Sequence, residues 1–354
     1  MENIGYFDGH NDVLLKLFFS KSKNKIEDFF EGNNYCHIDY KKIKTANFLG
    51  GFFAIFPPDL GQDFSNLSAK KEKKERYDFP LPNPISFDRA IDTTNQMINI
   101  LNQIIDSSKG QIVLCKNGND FKLAHENKKV AIILHIEGAE AIDKDFLSLE
   151  KLYAAGLRSI GLVWSRPNIF AHGVPFSFPR SPDIGPGLTS LGKELVKICD
   201  DKKILIDLSH LNEKGFWDIA KYSHNPLVAT HSNAHQLCPH TRNLTNKQLD
   251  AIKETKGMVG VNFAPAFLRP DGKMIVETDI QLIVDHFKYF IDYLGEEYVG
   301  FGSDFDGAMM PKNLSSVLGM TLLIELMVKQ GFSEDLMKKL CHQNWLSLIK
   351  RTLT

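Results

Sequence analysis

Eight short apolar runs, each closing on polar or turn-forming residues, constrain the fold of this chain more than any other feature. Ile4–Phe7 leads into Asp8-Gly9-His10, Phe48–Phe56 ends at Pro57-Pro58, Val130–Ile136 leads into Glu137, and Leu157–Val163 leads into Trp164-Ser165-Arg166. Ile204–Leu208 is followed by Ser209-His210, Leu227–Thr230 by His231-Ser232, Met258–Phe263 by Ala264-Pro265, and Tyr298–Gly302 by Ser303-Asp304. Runs this short and this apolar read as strands buried on both faces. Helical patterns stand between most of them. Leu188, Leu191, Leu195, Val196 and Cys199 fall at helical spacing, Thr245 with Gln248 makes a capping box, and an apolar stripe runs from Ile280 to Leu294. Strands alternating with helices predict parallel βα units. The expected fold is α/β, a single (β/α)8 barrel of the TIM type. A doubly wound open sheet is the competing architecture, and no Gly-rich phosphate fingerprint supports it.

The stretch from 59 to 129 is too long for a simple connection, so a long insertion is expected after the second strand. It should hold two or more helices, one of them carrying Ile98, Ile100, Leu101, Ile104 and Ile105, and a surface excursion. The last helix opens at Ser333. With no internal repeat and no linker, residues 1–354 read as one domain, a length normal for a barrel with insertions.

A formal net charge of −1 argues against broad binding to nucleic acid or to an anionic membrane. The run KKEKKER at 70–76 reads as a solvated helix or loop. The five cysteines are scattered, odd in number and free of any CxxC pair, so no disulfide framework is expected and Cys199 is read as core. The opening MENIGYFDGH lacks a basic and apolar leader pattern, and no apolar run is long enough to span a membrane. With Met1 as the start, a cytoplasmic protein is expected. A homodimer is left open.

The polar residues cluster at the C-terminal ends of the strands, the face on which barrels build active sites. His10 and Asp12 are two apart, so an extended segment points them the same way, and both side chains suit zinc. Glu137 directly follows a buried strand and needs a partner, either a salt bridge or a metal pair spanned by its two oxygens. His210 and His231 end successive strands. A lone histidine there is usually a hydrogen-bonded core residue; two of them beside the other three candidates point to metal. Asp304 and Asp306 share the GSDFDG segment, where an acid can act on a metal-activated water, although Asp and Gly also make turns. Period-two geometry lets only one face the ligands, and Asp304 is nearer the strand end.

These residues lie in stretches that resemble the membrane (renal) dipeptidases of the amidohydrolase superfamily. The stretches are DGHND (8–12), HIEGAEA (135–141), GLTSLGKELV (187–196), DLSH (207–210), ATHSNAH (229–235), TRNLTNKQL (241–249) and GSDFDG (302–307), in the family's order and across nearly the whole chain. The resemblance implies two zinc ions per chain, one held by His10 and Asp12, the other by His210 and His231, with Glu137 bridging both. It implies Asp304 as the acid that handles protons, and Arg242 as the residue that binds the C-terminal carboxylate of a dipeptide. A hydroxide shared by the metals would be the nucleophile, and a C-terminal D-residue would be accepted. Where relatives of the renal enzyme carry a substrate-binding histidine, this chain has Trp164, which cannot accept a proton. His172, eight residues on, is the candidate to supply that contact from a loop. The exported, anchored and disulfide-linked character of mammalian members is missing here, so a microbial-type member is expected. Two other readings remain: hydrolysis of N-acyl amino acids or lactones at the same metal site, and a catalytically silent metal-binding scaffold.

Overall fold

The structure, a computed structural model, describes residues 4–59 and 75–353. Eight parallel strands form the centre: β1 (Tyr6–Asn11), β2 (Phe48–Ile55), β3 (Val130–Glu137), β4 (Leu157–Gly161), β5 (Leu205–Asp207), β6 (Val228–Ala229), β7 (Met258–Val261) and β8 (Val299–Phe301). Each coincides with one of the eight apolar runs. Each pairs with the next in sequence, and β8 returns to β1 through Asp8 opposite Phe301. That last pairing closes the barrel and excludes the open sheet.

Strand β3 shows how the pleat builds both core and site. Its alternate residues Ala131 and Ile133 belong to an inner cluster with Phe7, Phe52, Leu205, Val228 and Met258. Ile132, Leu134 and Ile136 join the larger cluster formed with the surrounding helices. Period-two alternation then carries His135 and Glu137 to the inner side, above the apolar plug.

The floor of the barrel comes from the far end of the chain. The helix Asn344–Thr352 inserts Trp345 beneath Phe52, with ring centroids 5.4 Å apart, and the indole N–H donates to the Phe301 carbonyl at 3.0 Å. Gly9 makes room for it, because a Cβ there would lie 2.5 Å from Trp345 Cζ2 and 2.5 Å from the Thr230 carbonyl oxygen. Trp345 thus fills the axis from below, at the end opposite the polar residues that close the strands.

The insertion after β2 contains the helix Phe87–Ser107, a short strand Ile112–Leu114 that pairs with the start of β3, and the helix Gly118–Glu126. Composition did not disclose that strand, nor the antiparallel pair Tyr77–Asp78 with Ser177–Phe178 that ties the insertion to the loop after β4. Of the charged run, residues 70–74 lie outside the described residues, and Glu75 and Arg76 are exposed. The capping box is present, with Thr245 N donating to Gln248 Oε1 at 2.9 Å, and the Ser333 side chain caps the helix that starts at Glu334. All five cysteines are free and buried. Among the described residues, no helix is long and apolar enough to cross a membrane.

Candidate metal centre

Five sequence candidates converge on one carboxylate oxygen or its immediate neighbour. Glu137 Oε1 lies 3.0 Å from His210 Nε2, 3.4 Å from His231 Nε2 and 3.8 Å from His10 Nε2. Asp12 Oδ2 joins through His10 Nε2 at 3.2 Å. Donor atoms of His10, Glu137 and His231 lie within 4.8 Å of one another, and so do those of His10, Asp12 and Asp304. All six residues are buried or nearly so. Asp12 reaches the cluster differently from the period-two expectation. Strand β1 ends at Asn11, and Asp12 is the residue that opens the helix Val13–Phe19.

Local backbone shape sets the rest. His210 and Asp304 adopt left-handed conformations, with φ of 68° and 64°, which turn each side chain sharply at the end of its strand. Histidine and aspartate are among the non-glycine residues that enter this region most readily. Asp304 Oδ2 accepts from Asn262 Nδ2 at 2.9 Å. Asp306 is also left-handed, but its carboxylate turns away and accepts from the His37 and Ile38 amides. Of the pair in GSDFDG, only Asp304 joins the cluster.

The imidazoles are oriented from behind. Thr230 Oγ1 donates its single hydrogen to Asp207 Oδ2 at 2.6 Å, so at its 2.8 Å contact with His231 Nδ1 it must accept. Nδ1 therefore carries the proton, and Nε2 presents a lone pair toward Glu137. Ser165 Oγ stands 2.8 Å from His210 Nδ1. Asp207 further accepts from the amides of Ser209 and Thr230, and its Oδ2 lies 3.7 Å from His135 Nε2. Neither His135 nor Asp207 was singled out in the sequence. The available signal was a polar residue at an inward position of an otherwise apolar strand, AIILHIE and ILID.

The electrostatics describe a site built around positive charge. Burial raises the Glu137 pKa well above the ordinary carboxylate value and that of Asp304 to about 6. Burial opposes a charge on His10, but Glu137, Asp12 and Asp304 together outweigh it and raise its pKa to about 10. Burial pushes His210 and His231 well down. Asp12 Oδ1 and His231 Nε2 are buried with no hydrogen-bond partner. Three carboxylates, three imidazoles and orphaned acceptors in a buried cluster fit divalent cations with mixed N and O ligands.

Four residues of the cluster, Asp12, Glu137, His210 and Asp304, line a cavity of about 280 Å³ together with Phe56, Trp164, Phe176, Phe267 and other apolar side chains. Trp164 is a wall residue, its ring centroid 5.8 Å from that of His210. His172 is not among the lining residues. Its carbonyl accepts from Asn212 N at 3.2 Å, and its neighbour Gly173 bridges to Leu211, so this loop is occupied in holding the His210 turn. The contact anticipated from His172 is therefore not made at the cavity surface. Arg242 is 3% exposed and sits behind the wall, with Nη2 donating to the His231 carbonyl at 3.1 Å and Nη1 to Ser232 Oγ at 3.3 Å. Its guanidinium carbon is 5.3 Å from the centre of the Phe267 ring, and Nε has no hydrogen-bond partner.

The model of the membrane dipeptidases, peptidase family M19, matches residues 1–353. A Klebsiella pneumoniae protein, described as an uncharacterized protein in the pqqA 5' region, is 47% identical over 260 residues, covering 73% of this chain and 96% of that one. The dipeptidase tcpJ of Claviceps purpurea is 23% identical over 352 residues, covering 97% of this chain and 76% of that protein. A metallopeptidase of Rhodobacter sphaeroides, solved with a phosphinate mimic of the dipeptide L-Ala-D-Ala, superposes with a TM-score of 0.96 at 44% identity, covering 99% of this chain and 100% of that one.

Proposed function

The chain belongs to the membrane dipeptidase family, and we propose that it is a zinc-dependent dipeptidase that accepts a C-terminal D-residue. The observation that carries the metal assignment is the convergence of His10, His210 and His231 on Glu137 Oε1, with Asp12 beside His10. In this reading His10 and Asp12 would hold one ion and His210 and His231 a second, with Glu137 shared between them. Bound zinc supplies a nucleophilic water at neutral pH and a Lewis acid for the scissile carbonyl.

The remaining chemistry belongs to the protein. Asp304, held by Asn262, takes the proton released from the water and returns it to the leaving amine. Arg242 stays cationic at neutral pH, because burial lowers its pKa only to about 10 against the attraction of Asp304 and Glu137. Its Nε, beside Phe267 and without a hydrogen-bond partner, would be the donor for the substrate's C-terminal carboxylate. A cavity of about 280 Å³ lies at the small end of ligand pockets and favours dipeptides over longer chains. The L-Ala-D-Ala mimic bound by the Rhodobacter relative supports the D-residue.

The test is elemental analysis beside a substrate panel. About two zinc ions per chain, with hydrolysis of L-Xaa-D-Ala dipeptides well above N-acyl amino acids and lactones, is the expected result. Turnover confined to N-acyl amino acids or lactones would replace the dipeptidase reading with another amidohydrolase activity. Metal binding without any turnover would point to a silent scaffold.

A further inference from the structure

An aromatic arc walls the cavity. Phe56, Trp164, Phe176 and Phe267 follow one another with ring centroids 5.1, 5.5 and 6.0 Å apart. Apart from Asp12, Glu137, His210 and Asp304, the side chains lining the cavity among the described residues are all apolar. No lysine, arginine, asparagine or glutamine faces it there.

One end of the arc is fixed by a buried ion pair. The Arg166 side chain is fully buried and has no surface in the cavity. Its Nε donates to Glu140 Oε1 at 2.6 Å, and its Nη2 donates to the Pro57 carbonyl at 2.6 Å, one residue beyond Phe56. The guanidinium carbon lies 5.0 Å from the Phe56 ring centre and 5.7 Å from that of Trp164. A single side chain thus ties the backbone after β2, both aromatic rings and the turn after β3. The other end of the arc is Phe267, on which Arg242 stacks.

We propose that this arc selects a neutral apolar side chain on the N-terminal residue of the dipeptide, with Trp164 as the specificity-determining residue and Arg166 as the positioning residue that holds it. The inference rests on the dipeptidase reading, in which Arg242 takes the C-terminal carboxylate. Arg242 marks the Phe267 end, so the residue before the scissile bond falls toward Trp164, beside His210. Among the described residues that line the cavity, a carboxylate side chain there would lose its hydration without gaining a cationic or amide donor. An ammonium side chain would ordinarily be welcome on aromatic faces. Here the Arg166 guanidinium already lies against the Phe56 and Trp164 rings, so a second cation would have to share them.

The experiment is steady-state hydrolysis by the zinc-loaded full chain of Leu-Ala, Phe-Ala, Asp-Ala and Lys-Ala, with the mirrored Ala-Xaa series. The expected kcat/KM for Leu-Ala and Phe-Ala exceeds that for Asp-Ala and Lys-Ala by about tenfold or more. Trp164→His should shrink that ratio to within about threefold, whereas Trp164→Leu, which keeps an apolar wall, should retain it. A ratio measured in one preparation is insensitive to the fraction folded. Arg166→Lys keeps the charge but loses the two-pronged fork, so KM for Leu-Ala should rise several-fold with a smaller change in kcat. A merely structural defect would instead lower apparent kcat and leave KM alone. Equal turnover of charged and apolar first residues would overturn the proposal. So would a preference that survives Trp164→His, or one that resides in the Ala-Xaa series. Failure to cleave any dipeptide would overturn the dipeptidase reading itself, and the proposal with it.

Discussion

His37 and Asp306 hold one another across 269 residues of sequence: the His37 amide donates to Asp306 Oδ1 at 2.6 Å, and the Asp306 amide donates to His37 Nδ1 at 2.8 Å. The Ile38 amide adds a third bond, to Asp306 Oδ2 at 3.1 Å. This clasp anchors the loop after β8 to the segment leading into the helix Tyr40–Thr45 and leaves Asp304 as the acid at the metal cluster.

The two aspartates should therefore fail differently. Asp304→Asn keeps the shape but cannot carry a proton, so turnover should fall roughly a hundredfold or more while zinc content stays near normal. Asp306→Ala orphans buried amides and should cost about 1–3 kcal/mol of stability. Denaturant unfolding and single-turnover kinetics on both variants separate the roles. If Asp306→Ala is the one that loses turnover at full stability, the assignment is reversed.

Metal removal should be felt by the fold as well as by activity. Without cations, a buried cluster retains Asp12 Oδ1 and His231 Nε2 unpartnered. A ligand that binds only the folded state stabilises it by mass action. Chelation should lower the melting temperature, and zinc should restore it. Glu137→Gln, which removes the charge shared by three imidazoles, should bind well under two ions per chain. Undiminished zinc content in that variant would refute the bridging role.

Arg242 should make a free C-terminus matter. A charge-assisted bond is worth about 1.5–3 kcal/mol, so a dipeptide should be hydrolysed at least tenfold better than its amide. Arg242→Ala should erase the difference, and Arg242→Lys should recover only part of it. Equal rates on acid and amide in the wild type would remove Arg242 from substrate recognition.

His286 supplies a pH dependence outside the metal cluster. It is fully buried, with Nδ1 accepting from the Ala234 amide at 3.2 Å and Nε2 facing the Leu268 carbonyl at 3.1 Å. Burial lowers its pKa from 6.5 to about 4. Between those values the unfolded chain binds the extra proton, so stability rises with pH across the window and is lost as pH falls through it. The full contribution is roughly 3 kcal/mol. His286→Gln should be less stable at pH 7 and should show a shallower change in unfolding free energy between pH 4 and 6.5. Parallel pH profiles for variant and wild type would show that His286 does not titrate in that range.

What the sequence by itself determined was the set of strands and the residues at their ends. A strand buried on both faces must be apolar along its length, and the polar residue that follows it is visible because it interrupts that run. His10, Glu137, His210, His231 and Asp304 were all legible for this local reason. Tertiary structure decided which of those neighbours meet and what stands behind them. Spacing favoured Asp304 over Asp306, and the clasp between His37 and Asp306 is what turns the second acid away from the cluster. The Asp207–Thr230–His231 relay, the plug of Trp345 and the placing of Arg166 on Phe56 and Trp164 join residues from separate βα units. The seat of Arg242, with its guanidinium beside the Phe267 ring and on the His231 carbonyl, likewise joins residues that no local spacing brings together. His172, eight residues from Trp164 in sequence, was drawn off the cavity by the pairing of Gly173 with Leu211. Periodicity reports which face of its own element a side chain occupies. Its partner across the barrel is set by closure, which brings together strands hundreds of residues apart.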